Sequence, residues 1–159
     1  MKPGKTETGC CPRFNPKPWD EKKIVWKNKL FLKDHVISFF HIPLNMNGVM
    51  VRDMAKIDKA AAYASTALML SDEKSLWGSD LYIAVDRPVP DSEMVKISGT
   101  FLTKVFEGPY NSIGKWIKEM EGFVASKGKK AKKLYFCYTT CPSCAKYYGK
   151  NYVILFAQI

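Results

Sequence analysis

The sequence predicts an α+β fold: two βαββ units in tandem, forming one antiparallel sheet with two helices on one face. Three observations predict it. The chain has 159 residues, 47% of them apolar and 13% aromatic, which is enough for one well-filled core and excludes a largely disordered chain. A stretch of the first half recurs in the second half without a gap. Strand-like runs and helical stripes follow the same order, strand, helix, strand, strand, in both halves.

The repeat is read residue by residue. Residues 40–54 lie on residues 106–120 at a constant offset of 66. Phe40 and Phe106, Pro43 and Pro109, Asn45 and Asn111, Gly48 and Gly114, and Met54 and Met120 are identical. Val51 and Ile117, Arg52 and Lys118, and Asp53 and Glu119 match by type. The two pseudo-repeats are placed at about 35–98 and 99–159, as one domain of residues 35–159. Residues 1–34, rich in Pro and Lys with Trp19 and Trp26, read as an arm packed on that domain.

Each element has its own signal. Val36 to Phe40 is β-rich, Pro43 breaks it, and Asn45 is suited to cap a helix whose stripe is Val51, Met54, Ile57 and Ala61. Ala67 to Leu70 and Asp80 to Val85 read as strands. Met94 to Ser98 and the run from Thr100 read as a strand pair broken at Gly99. Phe101 to Phe106 opens the second unit, and Asn111 is its helix cap. Ile113, Trp116, Ile117, Met120 and Val124 recur at helical spacing, with Gly128 as the stop. Leu134 to Tyr138 and Tyr152 to Gln158 complete the set. Two such units side by side leave a trough between their helices, a usual place for small apolar ligands.

Charge and targeting signals bound the function. With 25 basic and 15 acidic residues the net charge is +10. The lysines crowd at Lys22, Lys23, Lys27, Lys29 and Lys33, and again at Lys127, Lys129, Lys130, Lys132 and Lys133. No helix-turn-helix spacing or aromatic RNA-binding motif accompanies them, so they read as a solvated surface, and nucleic acid is not the expected partner. No apolar run approaches the ~18 residues of a membrane-spanning helix, and the N-terminus has no secretory pattern. A cytoplasmic protein without membrane association, monomer or dimer, is the expectation, its cysteines mostly reduced.

Val105-Phe106-Glu107-Gly108-Pro109-Tyr110, followed by an amphipathic helix, is similar to the hallmark of GyrI-like proteins. The stretch Trp77 to Tyr82, the Gly99-Thr100 strand and the final strand Tyr152 to Ile159 fit as well, so the resemblance covers residues 35–159. That superfamily contains gyrase-inhibitory proteins and the effector-binding domains of multidrug-sensing transcription activators. The resemblance implies a tandem βαββ fold and a pocket for bulky, lipophilic, often cationic compounds, hence a role in drug resistance. It also implies that some relatives are hydrolases opening cyclopropane rings of electrophilic natural products. One departure stands out: where regulators carry a glutamate in the last strand, this chain has Val153 or Ile154. Asp80, on a strand resembling that one, and Glu107 are the acids that could face the pocket.

Ten residues are therefore expected to bind ligand: Met46, Met50, Trp77, Asp80, Tyr82, Glu107, Tyr110, Trp116, Tyr138 and Phe156. Aromatic faces suit flat cations, and methionine adapts to varied shapes. If the chain is an enzyme, Glu107 or Asp80 is the acid or base, and His41, equivalent to Glu107 in the repeat, could pair with it. Cys141-Pro-Ser-Cys144 has metal-ligand spacing, and Cys10 or Cys11 with His41 could complete a structural zinc site; the alternative is a tight turn. No other cofactor is expected. The primary expectation is thus a protein that binds lipophilic, cationic small molecules in an aromatic-lined pocket, for sequestration or sensing of toxic compounds. The alternatives are cyclopropane hydrolysis and inhibition of a protein partner.

Overall fold

The computed structural model describes residues 7–9, 11–40 and 42–159. His41 and Cys10, both raised above as candidates, lie outside the described residues. The chain divides into two units: residues 26–98 form unit 1, and residues 99–159 with the segment ending at Val25 form unit 2. Both are α+β, built on antiparallel strands.

Alternation makes the longest strand. β1 runs Lys22–Phe39, and its distal half buries Val36 and Ser38 while exposing His35, Ile37 and Phe39. The Lys-rich stretch is therefore sheet, and the expected arm over residues 1–34 gives way to strand at Lys22. Interspersed lysines mask the period-two pattern of Ile24, Trp26 and the apolar run at Leu30. In unit 1, β1 pairs with the two-residue β2 (Ile42–Pro43) on one side and with β4 (Gly78–Ala84) on the other, and β4 pairs with β3 (Met69–Ser75). All these pairings are antiparallel.

Helix α1 spans Met46–Lys59 and buries Val49, Asp53 and Ile57. This corrects the expected stripe: Val51 is exposed, and the helix stops before Ala61, whose φ of 48° is left-handed. An aspartate occupies the middle of the buried stripe, so apolar periodicity alone misplaces the face. Asn45 does cap α1, but its Oδ1 accepts from the Ile37 N–H at 2.8 Å, tying helix start to strand instead of closing the helix turn. Val49 and Ile57 pack on Leu32, Val36, Leu81 and Ile83, with Met46, Met50, Met54, Met69 and Met94 half-buried around them.

Unit 2 receives most of β5, which runs Glu93–Glu107 without a break at Gly99. Gly99 stays in the strand with φ +150°, where an added Cβ would fall 2.7 Å from Gln158 Nε2, so glycine permits continuity there. A 3₁₀ turn at Tyr110–Ser112 leads into α2 (Ile113–Ser126), followed by β6 (Lys133–Tyr138), α3 (Pro142–Tyr148) and β7 (Tyr152–Gln158). β7 lies between β5 and β6, antiparallel to both. α2 buries Trp116, Met120 and Val124 against Leu102, Phe106, Phe136, Val153 and Leu155. Burying each such side chain contributes ~1.5–3 kcal/mol before entropy is counted. Asn111 lies inside the 3₁₀ turn and Ser112 takes the cap position. Where a tight turn was the alternative expected, Cys141 is the extended cap residue and Pro142 to Cys144 form the first turn of α3. Segment Trp19–Glu21 is fastened to β5: Thr103 Oγ1 donates to Trp19 O at 2.5 Å, Val105 N–H to Asp20 Oδ1 at 3.1 Å, and Lys104 pairs with Glu21 at 3.0 Å. Among the described residues no helix is long and apolar enough to cross a membrane.

Candidate functional site

The register of unit 1 assembles a polar row. Lys33, His35 and Ile37 of β1 stand opposite Tyr82, Asp80 and Gly78 of β4, and Asp80 stands opposite Asp72 of β3. Directly opposed residues share a face, so side chains 45 positions apart in sequence meet. His35 Nδ1 lies 3.0 Å from Asp80 Oδ1, and Lys33 Nζ lies 3.6 Å from Asp80 Oδ2. Burial pushes the Asp80 carboxyl up, but the His35 hydrogen bond and the charges of Lys33 and His35 outweigh it and hold it below its ordinary value. An ionised carboxylate only accepts, so His35 Nδ1 is the donor in this contact and Nε2 is the nitrogen turned away from Asp80. The Asp80 charge, in turn, raises Lys33.

Gly78 gives the ring its place. A Cβ there would sit 2.5 Å from His35 Nε2 and 3.0 Å from the Val36 carbonyl, so only a hydrogen at Cα lets the imidazole lie flat against the strand. The His35 side chain remains 57% exposed. Further along the same strand ends, Phe39, Phe40 and Trp77 form a cluster with ring centroids 4.8, 5.4 and 5.8 Å apart. All three rings are more than half exposed, and Ile37, Leu44 and Leu76 are exposed as well. Phe40 is held at φ 46°, a left-handed conformation that a bulky residue rarely adopts. The arrangement offers an oriented base next to an apolar, aromatic surface.

On the α1 side of the same strands, Arg52 donates to Asp34, and Asp53 lies beneath them, 1% exposed, its Oδ2 without a hydrogen-bond partner among the described residues. Burial, then the hydrogen bond and charge of Asp34, push the Asp53 carboxyl up to about 6, against Arg52 and Lys56.

Unit 2 holds a thiol cluster. The sulfurs of Cys11, Cys141 and Cys144 lie within 4.8 Å of one another, so these three cysteines could hold a metal. The Cys141 N–H donates to Cys11 Sγ at 3.4 Å, and Cys144 Sγ donates to Thr8 Oγ1 at 3.2 Å. The Thr8 hydroxyl, opposed by burial and helped by Cys141 and Cys11, brings the Cys144 thiol down to about 7. Two surface depressions belong to this unit. One, of about 370 Å³, is lined by Glu107, Pro109, Lys146, Lys150 and Asn151. The other, of about 250 Å³, is lined by Arg13, Phe14, Thr140, Tyr148 and Tyr152.

The expected ligand residues thus fall in distinct settings. In unit 1, Trp77 joins the ring cluster, Asp80 orients His35, and Met46 and Met50 flank the helix core. Tyr82, 7% exposed, is a core residue whose ring meets Phe31 edge-on at 6.4 Å. In unit 2, Glu107 lines the larger depression, and Tyr110 and Tyr138 meet at 5.6 Å. Trp116 stacks on Phe106 inside the core, and Phe156 is fully buried against Trp19, because both face the packed side of their element. The spacing of a metal pair signalled Cys141 and Cys144, and the fold brings Cys11 within 4.8 Å of them. His35 gave no local signal, since its partner is a strand away.

A family model described as bacterial hydrolase matches residues 1–159. No curated protein matches the chain. Two crystal structures of hydrolases from Listeria innocua resemble it: one at 15% identity and TM-score 0.58, covering 86% of this chain and 90% of that one, the other at 14% and 0.60, covering 88% and 92%. An uncharacterized conserved protein from Listeria innocua is similar at 15% identity and TM-score 0.59, covering 86% and 90%. At these identities the likeness is one of fold.

Proposed function

The chain belongs to the bacterial hydrolase family, and from that premise we propose that it hydrolyses lipophilic, electrophilic small molecules with His35 as general base. The observation that carries this is the 3.0 Å contact of His35 Nδ1 with Asp80, beside the exposed rings of Phe39, Phe40 and Trp77. The apolar part of the substrate lies on the rings. His35 Nε2 takes a proton from water, the water oxygen bonds to the electrophilic carbon, and the bond to the leaving atom breaks. The imidazolium then returns the proton to that leaving atom, and Asp80 stabilises the transient positive charge. In a strained cyclopropane the broken bond is a ring C–C bond and its electrons move into the conjugated acceptor.

The GyrI-like resemblance supplies the substrate class and the tandem βαββ reading. Supporting the latter is the order β1, α1, β3, β4 followed by β5, α2, β6, β7, although β2 stands between β1 and α1 and α3 interrupts the second set. A second reading, capture of a lipophilic ligand without turnover, is favoured by the exposed ring cluster alone. A cation has less to gain at Asp80, whose two oxygens already face Lys33 and His35.

The test is steady-state turnover of chromogenic esters of graded acyl length and of an activated cyclopropyl ketone. His35→Gln and Asp80→Asn should each lower kcat by roughly 10²-fold or more with the circular dichroism spectrum unchanged. Trp77→Ala should raise KM for the longest substrate while leaving kcat for the shortest alone. Full activity in His35→Gln contradicts the proposal, and saturable binding without product selects the second reading.

A further inference from the structure

The thiol cluster of unit 2 stands apart from the proposed reaction. Cys11 comes from the segment before β1, and Cys141 and Cys144 from the start of α3, 130 residues later. Three cysteine sulfurs brought within 4.8 Å of one another are already close to the separation that tetrahedral zinc imposes, about 3.8 Å between thiolates at the usual 2.3 Å bond. We propose that Cys11, Cys141 and Cys144 bind a zinc ion as thiolates, fastening the N-terminal segment to α3.

Three observations support it. The surroundings are organised for negative sulfur: the Cys141 N–H points at Cys11 Sγ. The two chain segments are independently held in register, because the Tyr148 hydroxyl donates to the Cys11 carbonyl at 2.5 Å and the Arg13 guanidinium lies 4.6 Å over the Tyr148 ring. A site whose backbone is fixed by other contacts loses little freedom when the metal enters. Finally, Cys137 is buried in β6 and is not part of the cluster, so among the four described cysteines the convergence is specific to three. Soft thiolates select zinc over magnesium or calcium, which prefer oxygen.

The consequence is structural. Closing a loop of this length with a metal constrains the unfolded chain and couples binding to folding. The same segment supplies Arg13 and Phe14 to the depression that Thr140, Tyr148 and Tyr152 also line. Zinc would hold that wall in place.

The full chain, purified under reducing conditions from zinc-supplemented medium, should contain one zinc per chain by elemental analysis. Cys11→Ser, Cys141→Ser and Cys144→Ser should each lose most of it, whereas Cys137→Ser should keep it. If the serine variants fail to fold, cobalt reconstitution of the wild-type chain keeps the question open to decision. Tetrahedral thiolate coordination should then give a near-ultraviolet charge-transfer band and strong visible absorption. A chelator should lower Tm by several degrees and zinc should restore it. A folded, metal-free wild-type chain that takes up neither zinc nor cobalt overturns the proposal, as does equal zinc in wild type and Cys144→Ser.

Discussion

Asp53 shows how much one carboxyl can depend on its surroundings. It sits in the buried stripe of α1, and its raised proton affinity reflects burial together with the neighbouring Asp34. The sign of its effect on stability follows from proton counting. Between the ordinary value of 3.8 and about 6, the folded state holds the proton and the unfolded state does not, so stability falls as pH rises through that window. Above about 6 the folded chain carries the full cost of a buried charge, on the order of 1–3 kcal/mol. Asp53→Asn should therefore raise Tm at pH 7 and give no gain near pH 4, read by thermal melts at both pH values. An equal gain at both would assign the effect to packing. At this scale the sequence exposed some groups and hid others. Asp80 was legible because it stood on a strand resembling a ligand-facing one. His35 was not, because its carboxylate partner lies on another strand and only the pairing of β1 with β4 brings Asp80 to it.

Elements position these groups, and their tolerance to change differs. Gly78 is the position where strand and imidazole come closest. Gly78→Ala should displace the His35 ring from Asp80 and lower turnover about tenfold or more with Tm nearly unchanged, since the ring is exposed and can swing into solvent. Wild-type turnover in that variant would show that the ring position is unimportant. Met120, fully buried on α2, belongs to the other kind: Met120→Ala should cost about 2–5 kcal/mol in denaturant unfolding. α2 was readable in advance because Trp116, Met120 and Val124 lie four apart on an apolar stripe. α1 was misread by its face because an acid interrupts the stripe. α3 was read as a turn or a metal knuckle because the seven residues starting at Pro142 carry too little periodicity to declare a helix.

For the whole molecule, residues that match at the 66-residue offset do not share their surroundings. Phe40 and Phe106 align in the repeat, yet Phe40 is exposed in the ring cluster and Phe106 is buried beneath Trp116. α2 also begins one residue beyond where the offset would place it. Periodicity marks α2 and the later strands but not the start of β1 or α3, and exposure depends on what packs above each position. The net charge of +10 is a property of the surface and should have little bearing on an uncharged substrate. Turnover of a neutral ester should accordingly change less than about threefold between low and ~0.5 M salt, in contrast to an electrostatically steered reaction.

The most direct measurement is turnover of a lipophilic electrophile in ¹⁸O-labelled water, with the product weighed by mass spectrometry for wild type and His35→Gln. The account predicts one labelled oxygen per product molecule, formed by the wild-type chain at a rate that collapses in the variant. Bound but unchanged substrate, or labelled product formed equally fast by both chains, would contradict it.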